Sequence, residues 1–384
     1  MKKVAFKRVL KKPRLFVYSL MLLCFSAWKI GAAQSLPAPD SLDIKIGQLL
    51  MIGFRGLHVA DSSKVIVDIR QQRIGGVILF DYDLPLKQAS RNIQSPEQVC
   101  ALIKELQAAA PIPLLIAIDQ EGGRVNRLKE KFGFPKSVSA AWLGEVNSLD
   151  STQKYAEQTA KTLAALGINL NFAPVLDVNT NPENPVIGKL ARSFSENPEI
   201  VAEHGLATVK AFHQFGVLSA VKHFPGHGSA WNDSHKGLAD VTETWQPLEI
   251  EPFKRVIQAG ECDMVMTAHV FNAKLDTTFP ATLSQNVITG LLRKELGFDG
   301  VVVSDDMQME AIRSFYGLET AVRLALNAGV DLLVFANNSV FEPDIAERAH
   351  QMIRAMVLQG KVSRERIDAS YQRLMKLKSR LSNK

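Results

Sequence analysis

Short runs of apolar and β-branched residues recur along the chain from about residue 40, and each run precedes a stretch with helical spacing. Runs without polar alternation are typical of strands that have both faces covered by other elements. Eight such runs occur, at residues 49–54, 76–80, 114–118, 170–175, 217–221, 264–267, 300–303 and 332–335. Eight strand–helix units predict an α/β fold, a (β/α)8 barrel in a single domain, and a doubly wound open sheet is the alternative.

Two of the intervening helices have recognisable starts. Ser95 is followed by a proline and, three residues on, by Gln98, which is the arrangement of a capped helix N-terminus. Asn197 and Pro198 repeat this arrangement further along the chain. These residues predict helices that begin near residues 96 and 198, in the places where a barrel requires them.

Polar residues directly follow five of the eight predicted strands. In a (β/α)8 barrel the catalytic residues lie at these positions, at the carboxyl ends of the strands. The polar segments are 119–124, Asp177, 222–228, His269 and 304–306, after the third to the seventh runs. Four of the eight histidines lie in these loops: His223, His227, His235 and His269. The sequence therefore predicts an active site at this end of the barrel.

The first 33 residues have the composition of a secretory signal peptide. Seven lysines and arginines within residues 2–14 precede a 14-residue apolar stretch, and small residues follow at 31–33. Because a membrane-spanning helix needs about 20 apolar residues, we expect cleavage after Ala33, with an uncleaved membrane anchor as the alternative. The sequence thus predicts a periplasmic or secreted protein whose catalytic domain is residues 34–384, with no stable membrane span after cleavage.

The predicted signal peptide accounts for the basic charge of the chain. The full chain carries a formal charge of +6, and residues 1–33 contribute eight basic residues and no acidic ones. Residues 34–384 therefore carry 37 basic and 39 acidic residues. This near-balance lacks the electrostatic footprint of a nucleic-acid-binding protein. We expect no nucleic acid among the partners.

Several motifs in the predicted loops resemble those of one enzyme family. Residues 222–228 read Lys-His-Phe-Pro-Gly-His-Gly and are followed by Asp233-Ser234-His235, and further motifs lie at 119–127, 191–194, 280–284 and 303–306. Together they resemble the signature of glycoside hydrolase family 3 β-N-acetylglucosaminidases, over roughly residues 44–375. The resemblance implies a retaining exo-β-N-acetylglucosaminidase. Its substrates would be β-N-acetylglucosaminide oligosaccharides from peptidoglycan or chitin-type glycans, and it would need no metal or organic cofactor.

The resemblance also implies the catalytic residues. Glycoside hydrolysis needs a nucleophile or base on one side of the anomeric carbon and a proton donor on the other. Asp305 and Asp306 both end the seventh run, and the strand pattern leaves open which of them points into the barrel. The resemblance favours Asp305 as the nucleophile, and a helix-capping role for it is the simpler alternative. The resemblance makes His235 the general acid and base, with Asp233 as the carboxylate that orients it.

Further residues of these motifs are assigned to sugar binding by the resemblance. They are Asp119, Arg127, Arg192, Lys222 and His223, whose charged groups suit directed hydrogen bonds to hydroxyls. Glu121 is the rival general acid, and we interpret it instead as a support within the Gly-Gly turn. Asp177, His227 and His269 fit either a supporting role behind the site or a purely structural one.

Other functions fit parts of this pattern. A metal site is one, because His223 and His227 lie near Asp233 and His235, but Pro225 breaks the helix on which a four-residue histidine spacing binds metal. A non-catalytic periplasmic sugar-binding protein belongs to a different class. An N-acetylglucosaminide phosphorylase and another family 3 β-glycosidase are alternatives within the enzyme class. Nothing in the sequence chooses between peptidoglycan and chitin-type substrates.

Overall fold

The eight apolar runs form eight parallel strands that close into a barrel. The computed structural model describes residues 41–234 and 237–381, so the predicted signal peptide and His235 lie outside the described residues. The barrel strands, β1 to β8, are Leu50–Gly53, Gly76–Leu79, Leu115–Ile118, Leu170–Asn171, Leu218–Phe224, Met264–Thr267, Val301–Asp306 and Leu332–Phe335. Each strand pairs with its neighbour in sequence, and Leu50 of β1 pairs with Leu333 of β8. The predicted barrel is confirmed, and the open sheet is wrong.

Helices surround the barrel. The α-helices, α1 to α11, are Ser41–Gln48, Lys64–Gln71, Pro96–Ala109, Ala140–Val146, Leu149–Leu166, Pro198–Gln214, Glu251–Gln258, Glu310–Tyr316, Leu318–Ala328, Ile345–Leu358 and Arg364–Ser379. A π-helix, Asn286–Glu295, connects β6 to β7. Both predicted caps are present, because the side chain of Ser95 accepts from the Gln98 amide and that of Asn197 from the Glu199 amide. No helix of the described residues is both long and apolar enough to cross a membrane.

Two short ribbons extend the barrel at the carboxyl ends of its strands. Tyr82–Asp83 pairs antiparallel with Gln88–Ala89 just after β2, and we call residues 82–89 the rim ribbon. Ala239–Asp240 pairs parallel with Val270–Phe271, which joins the loops that follow β5 and β6. Both ribbons lie at the end of the barrel where the sequence predicts the active site.

A buried lysine lies at the opposite end of the barrel. Lys378 of α11 is 3% exposed, and its Nζ donates to Gln48 Oε1 at 2.6 Å and to the Gly75 carbonyl at 2.7 Å. Burial lowers the pKa of this ammonium group to about 7, because the charged form is poorly solvated there. Helix α11 is therefore hydrogen-bonded to the end of α1 and to the residue before β2.

Candidate active site

A cavity of about 270 Å³ opens at the carboxyl ends of the strands. All five predicted sugar-binding residues line it, together with both candidate nucleophiles: Asp119, Arg127, Arg192, Lys222, His223, Asp305 and Asp306. These side chains come from four strands and the loops that follow them, β3, β4, β5 and β7, and the closed barrel brings them together. The cavity is the candidate active site.

A buried carboxylate between two cations forms the floor of the site. Glu121 Oε2 lies 2.7 Å from Arg192 Nε, and Glu121 Oε1 lies 2.7 Å from Lys222 Nζ. Burial by itself would raise the pKa of Glu121, but Arg192 and Lys222 more than offset it and hold that pKa well below its usual range. Glu121 is therefore ionised, which argues against its being the general acid. Glu121 therefore supports Arg192 and Lys222. The sequence had suggested a support within the Gly-Gly turn instead.

Lys222 also holds the carboxylate that borders the open part of the cavity. Its Nζ donates to Asp119 Oδ1 at 2.7 Å, and Arg127 lies 3.6 Å from the other oxygen of Asp119. Burial would lower the pKa of Lys222, but Asp119 and Glu121 raise it above its ordinary value. The Arg127 guanidinium lies over the Phe80 ring at 5.5 Å. Carboxylates and cations thus alternate around the cavity, with donors and acceptors for adjacent hydroxyls.

His223 is oriented by a buried aspartate. Its Nδ1 lies 2.6 Å from Asp177 Oδ2, and its Nε2 lies 3.3 Å from an Arg192 nitrogen. Since arginine only donates, Nε2 is the acceptor and Nδ1 carries the proton toward Asp177. Burial would raise the pKa of Asp177, but the adjacent His223 and His227 lower it. Asp177 also accepts from the backbone amides of both histidines, so it fixes the whole turn from 223 to 227.

The two adjacent aspartates at the end of β7 have different surroundings. Asp306 Oδ1 accepts from the backbone amides of Gln308 at 3.1 Å and Ala336 at 3.0 Å. Asp305 is less buried than Asp306. The next helix begins at Glu310 with Met309 as its N-cap, so Asp305 does not cap it. Asp305 Oδ1 also accepts from a backbone amide, that of Asp306 at 2.8 Å, so the choice of Asp305 as the nucleophile stays a prediction.

His269 supports β7 from behind the site. It is fully buried, with Nδ1 2.8 Å from Thr282 Oγ1 and Nε2 3.0 Å from the Asp306 carbonyl. Thr282 belongs to the 280–284 motif, and its hydroxyl also donates to the Ala268 carbonyl. The motif therefore ties the end of β6 to the strand that carries both aspartates.

The loop after β5 leads toward the predicted acid/base residues. His227 is buried, its Nε2 lies 3.0 Å from Ser234 Oγ, and burial lowers its pKa to about 4, which keeps the ring neutral. Asp233 is half-buried at the end of this segment. Its predicted partner His235 lies outside the described residues, so the dyad stays a prediction.

The described residues contain no group of three or more histidine, cysteine and acidic side chains arranged to hold a metal ion. Both ring nitrogens of His223 are already engaged, by Asp177 and by Arg192. His235, another ligand of the metal-site alternative, lies outside the described residues, so that alternative is not tested.

Glu249 is a buried acid that the sequence analysis missed. It is fully buried against Gly226, whose φ of +121° and lack of a side chain make room for it; a Cβ on Gly226 would lie 2.7 Å from that of Glu249. Its Oε1 accepts from the Gln246 amide, and burial raises its pKa to about 7. The spacing of Gln246 and Glu249, a capping box, was the signal in the sequence.

We expect Glu249 to make the protein less stable as the pH rises from about 4.5 to 7. In this window the unfolded chain has lost the proton that the folded protein retains, so stability falls by about 1.4 kcal/mol per pH unit, or roughly 3 kcal/mol in all. Glu249→Gln removes this contribution. Urea unfolding at several pH values should give a flatter profile for the variant than for the wild type. A Glu249→Gln profile that runs parallel to that of the wild type would contradict the assignment.

Comparisons with known proteins agree with the geometry. The pattern of the glycosyl hydrolase family 3 N terminal domain matches residues 41–377. Beta-hexosaminidase A of Pseudoalteromonas piscicida is 37% identical over 91% of this chain and 63% of its own length. A beta-hexosaminidase of Tolumonas auensis is 36% identical over 75% of this chain and 83% of its own. A solved structure, the glycoside hydrolase family 3 beta-N-acetylglucosaminidase from Paenibacillus sp. str. FPU-7, superposes with a TM-score of 0.82 at 41% identity, covering 90% of this chain and 63% of that one.

Proposed function

The chain belongs to glycosyl hydrolase family 3, and on that basis we propose that it hydrolyses terminal β-linked N-acetylglucosamine with retention of configuration. The observation that carries the proposal is the cavity, where Asp305 at the end of β7 shares one space with Asp119, Arg192 and Lys222. The names of the relatives support N-acetylglucosamine as the sugar. The chain spans only 63% of the length of two of these relatives, so the proposal rests on the cavity as well as on their names.

The polar half of the cavity suits one sugar ring with free hydroxyls. Asp119 accepts and Lys222 donates from adjacent positions 2.7 Å apart, which matches a pair of neighbouring hydroxyl groups. Glu121 keeps Lys222 and Arg192 fixed before substrate arrives, so little ordering is needed on binding. A closed floor of this kind favours a terminal residue over the interior of a polymer, and this supports exo action.

In the proposed reaction Asp305 attacks the anomeric carbon. The bond to the leaving oxygen breaks as a covalent glycosyl–Asp305 ester forms, and water then hydrolyses the ester from the opposite face. Two inversions give net retention. Asp306 is less suited to this role, because it is the more buried of the two and its Oδ1 accepts from the backbone amides of Gln308 and Ala336.

We assign the proton transfers to His235 with Asp233. The histidine protonates the leaving oxygen in the first step and deprotonates water in the second. Asp233 would stabilise the protonated ring. Glu121 is unsuited to this task because its pKa is held low by Arg192 and Lys222. Periplasmic or secreted location follows from the predicted signal peptide, and both peptidoglycan fragments and chitin-type oligosaccharides fit that location.

The substrate class is tested with a pair of chromogenic substrates. We expect the protein to turn over an aryl β-N-acetylglucosaminide at least about 100-fold faster, as kcat/KM, than the matching β-glucoside, since loss of the acetamido contacts removes binding energy that is used in the transition state. Product analysis with and without phosphate separates hydrolysis from phosphorolysis, because only the latter yields a sugar 1-phosphate. Equal turnover of both glycosides would indicate another family 3 β-glycosidase. A folded protein that turns over neither glycoside would support the sugar-binding alternative.

A further inference from the structure

An exposed apolar side chain lies at the mouth of the cavity. Exposure increases from Lys222 at 2% on the floor to Leu84 at 55%, and both residues line the same cavity. Leu84 follows Asp83 on the rim ribbon, where Tyr82 and Leu86 are also exposed, at 37% and 50%. Of these three residues Leu84 is the one that lines the cavity, and an exposed apolar side chain at the mouth of a polar cavity is typical of a binding surface.

The rim ribbon is held rigidly from beneath. Asp83 is buried and accepts from Arg55 Nε at 2.6 Å and from Arg91 Nη1 at 3.1 Å. The Arg91 side chain is fully buried, and it also donates to the Asn337 carbonyl at 2.8 Å. Two arginines and one aspartate thus fix a turn whose apolar side chains remain in solvent, so Leu84 is preorganised at the cavity mouth.

Asn338 lies beside Leu84 with its amide orientation fixed. Its Oδ1 accepts from Arg91 Nη1 at 2.8 Å and from the Leu84 backbone amide at 3.3 Å. Both partners are donors, so the oxygen must be the atom that faces them and the Nδ2 group points the other way. Nδ2 has no hydrogen-bond partner among the described residues, and Asn338 lines the cavity. Asn338 therefore brings an amide donor with no described partner to the lining of the cavity that Leu84 also lines.

We propose that Leu84 and Asn338 form a subsite for a second pyranose ring, the one that leaves when the terminal N-acetylglucosamine is cut. The inference rests on the proposed function, and it implies that the substrate of the protein is an oligosaccharide. The apolar face of the leaving sugar packs on Leu84, and Asn338 Nδ2 donates to one of its oxygen atoms. Leu84, Asn338 and Asp305 line the same cavity, and the exposure of Leu84 places this subsite toward the cavity opening, where a leaving sugar can extend into solvent.

The test compares two substrates that differ only on the leaving side. One is the β-linked disaccharide of N-acetylglucosamine, and the other is N-acetyl-β-glucosaminyl fluoride, whose leaving group is a single atom. The measured quantity is the ratio of kcat/KM for the disaccharide to kcat/KM for the fluoride. We expect this ratio to fall about fivefold or more in Leu84→Ala, through lost apolar contact, and about as much in Asn338→Asp, which keeps both accepted hydrogen bonds and loses the donor.

Leu86→Ala is the matched control, because Leu86 is equally exposed on the same turn but does not line the cavity. Its ratio should stay within twofold of the wild type. An unchanged ratio in both Leu84→Ala and Asn338→Asp would overturn the subsite while the enzyme still cleaves the fluoride. A wild-type protein that cleaves neither substrate would overturn the proposed function itself, so the two failures are distinguishable.

Discussion

Replacing Asp305 with asparagine is expected to lower kcat/KM for a β-N-acetylglucosaminide by at least about 10³-fold. The amide is nearly isosteric with the carboxylate but cannot form the glycosyl ester, and loss of a covalent nucleophile commonly has an effect of this size. Steady-state kinetics with an aryl glycoside measure the loss. In Asp305→Gly, azide should restore turnover and yield the α-configured glycosyl azide, because it attacks from the face that the carboxylate has vacated.

Asp306→Asn is the matched control for the nucleophile. An asparagine Oδ1 still accepts from the Gln308 and Ala336 amides that Asp306 holds, so we expect a loss well below that of Asp305→Asn. If Asp306→Asn were inactive and Asp305→Asn retained activity, the assignment of the two aspartates would be reversed. A β-configured azide from Asp305→Gly would mean that another group still forms the covalent intermediate, and it would contradict the assignment of Asp305 as the nucleophile.

Replacing Glu121 with glutamine is expected to destabilise the protein by about 3 kcal/mol or more. The change removes the carboxylate that contacts both Arg192 and Lys222 and leaves the more distant Asp177 near Arg192 and Asp119 on Lys222. Loss of the partner of a buried charge has a cost of this order. Urea unfolding at pH 7 measures the loss, and kcat/KM should fall by about 100-fold as the floor of the cavity loses its geometry. The measurement is made on protein shown to be folded at the start of the titration.

The control for Glu121 is an ion pair of the same kind on the surface. Glu183 lies 2.9 Å from Lys189, and both side chains are more than half exposed. Glu183→Gln should change stability by less than about 1 kcal/mol, because solvent screens exposed pairs. A Glu121→Gln variant as stable as this control would show that the two buried cations do not depend on the carboxylate.

The strands were predictable because both of their faces are covered, but their ends were not. β4 is shorter than its apolar run, since the side chain of Asn171 exchanges both hydrogen bonds with the Gln120 backbone and Pro174 has no amide to donate. β5 and β7 are longer than their runs and continue through polar residues to Phe224 and Asp306. The last residues of these two strands include polar residues of the active site. The apolar runs therefore end before the strands do.

The site was predictable to the extent that its residues follow strands directly. Asp119, Lys222 and Asp305 belong to this class, because a closed barrel gathers strand ends whatever the loops do. Glu249 and Asn338 were missed for the opposite reason. Their positions depend on how connecting segments pack against one another, and neither apolar periodicity nor spacing along the chain records that packing.

The rim ribbon was also invisible in the sequence. It consists of two strands of two residues each, and its anchor, Arg91, binds partners as distant along the chain as Asn338. Such short strands carry no measurable alternation of polar and apolar residues. The function of this ribbon can be inferred only once the barrel places it beside the cavity.

The hydrogen bonds of Lys378 have a consequence for how the protein is made. β1 pairs with β8, Lys45 of α1 pairs with Asp368, and Lys378 binds Gln48. These contacts join segments separated by more than 280 residues. A nascent chain therefore cannot pair β1 with β8 until Phe335 has left the ribosome, and the bonds of Lys378 to Gln48 and Gly75 form later still. Until β8 is available the incomplete sheet has two open edges, and open edges are prone to pair with other chains.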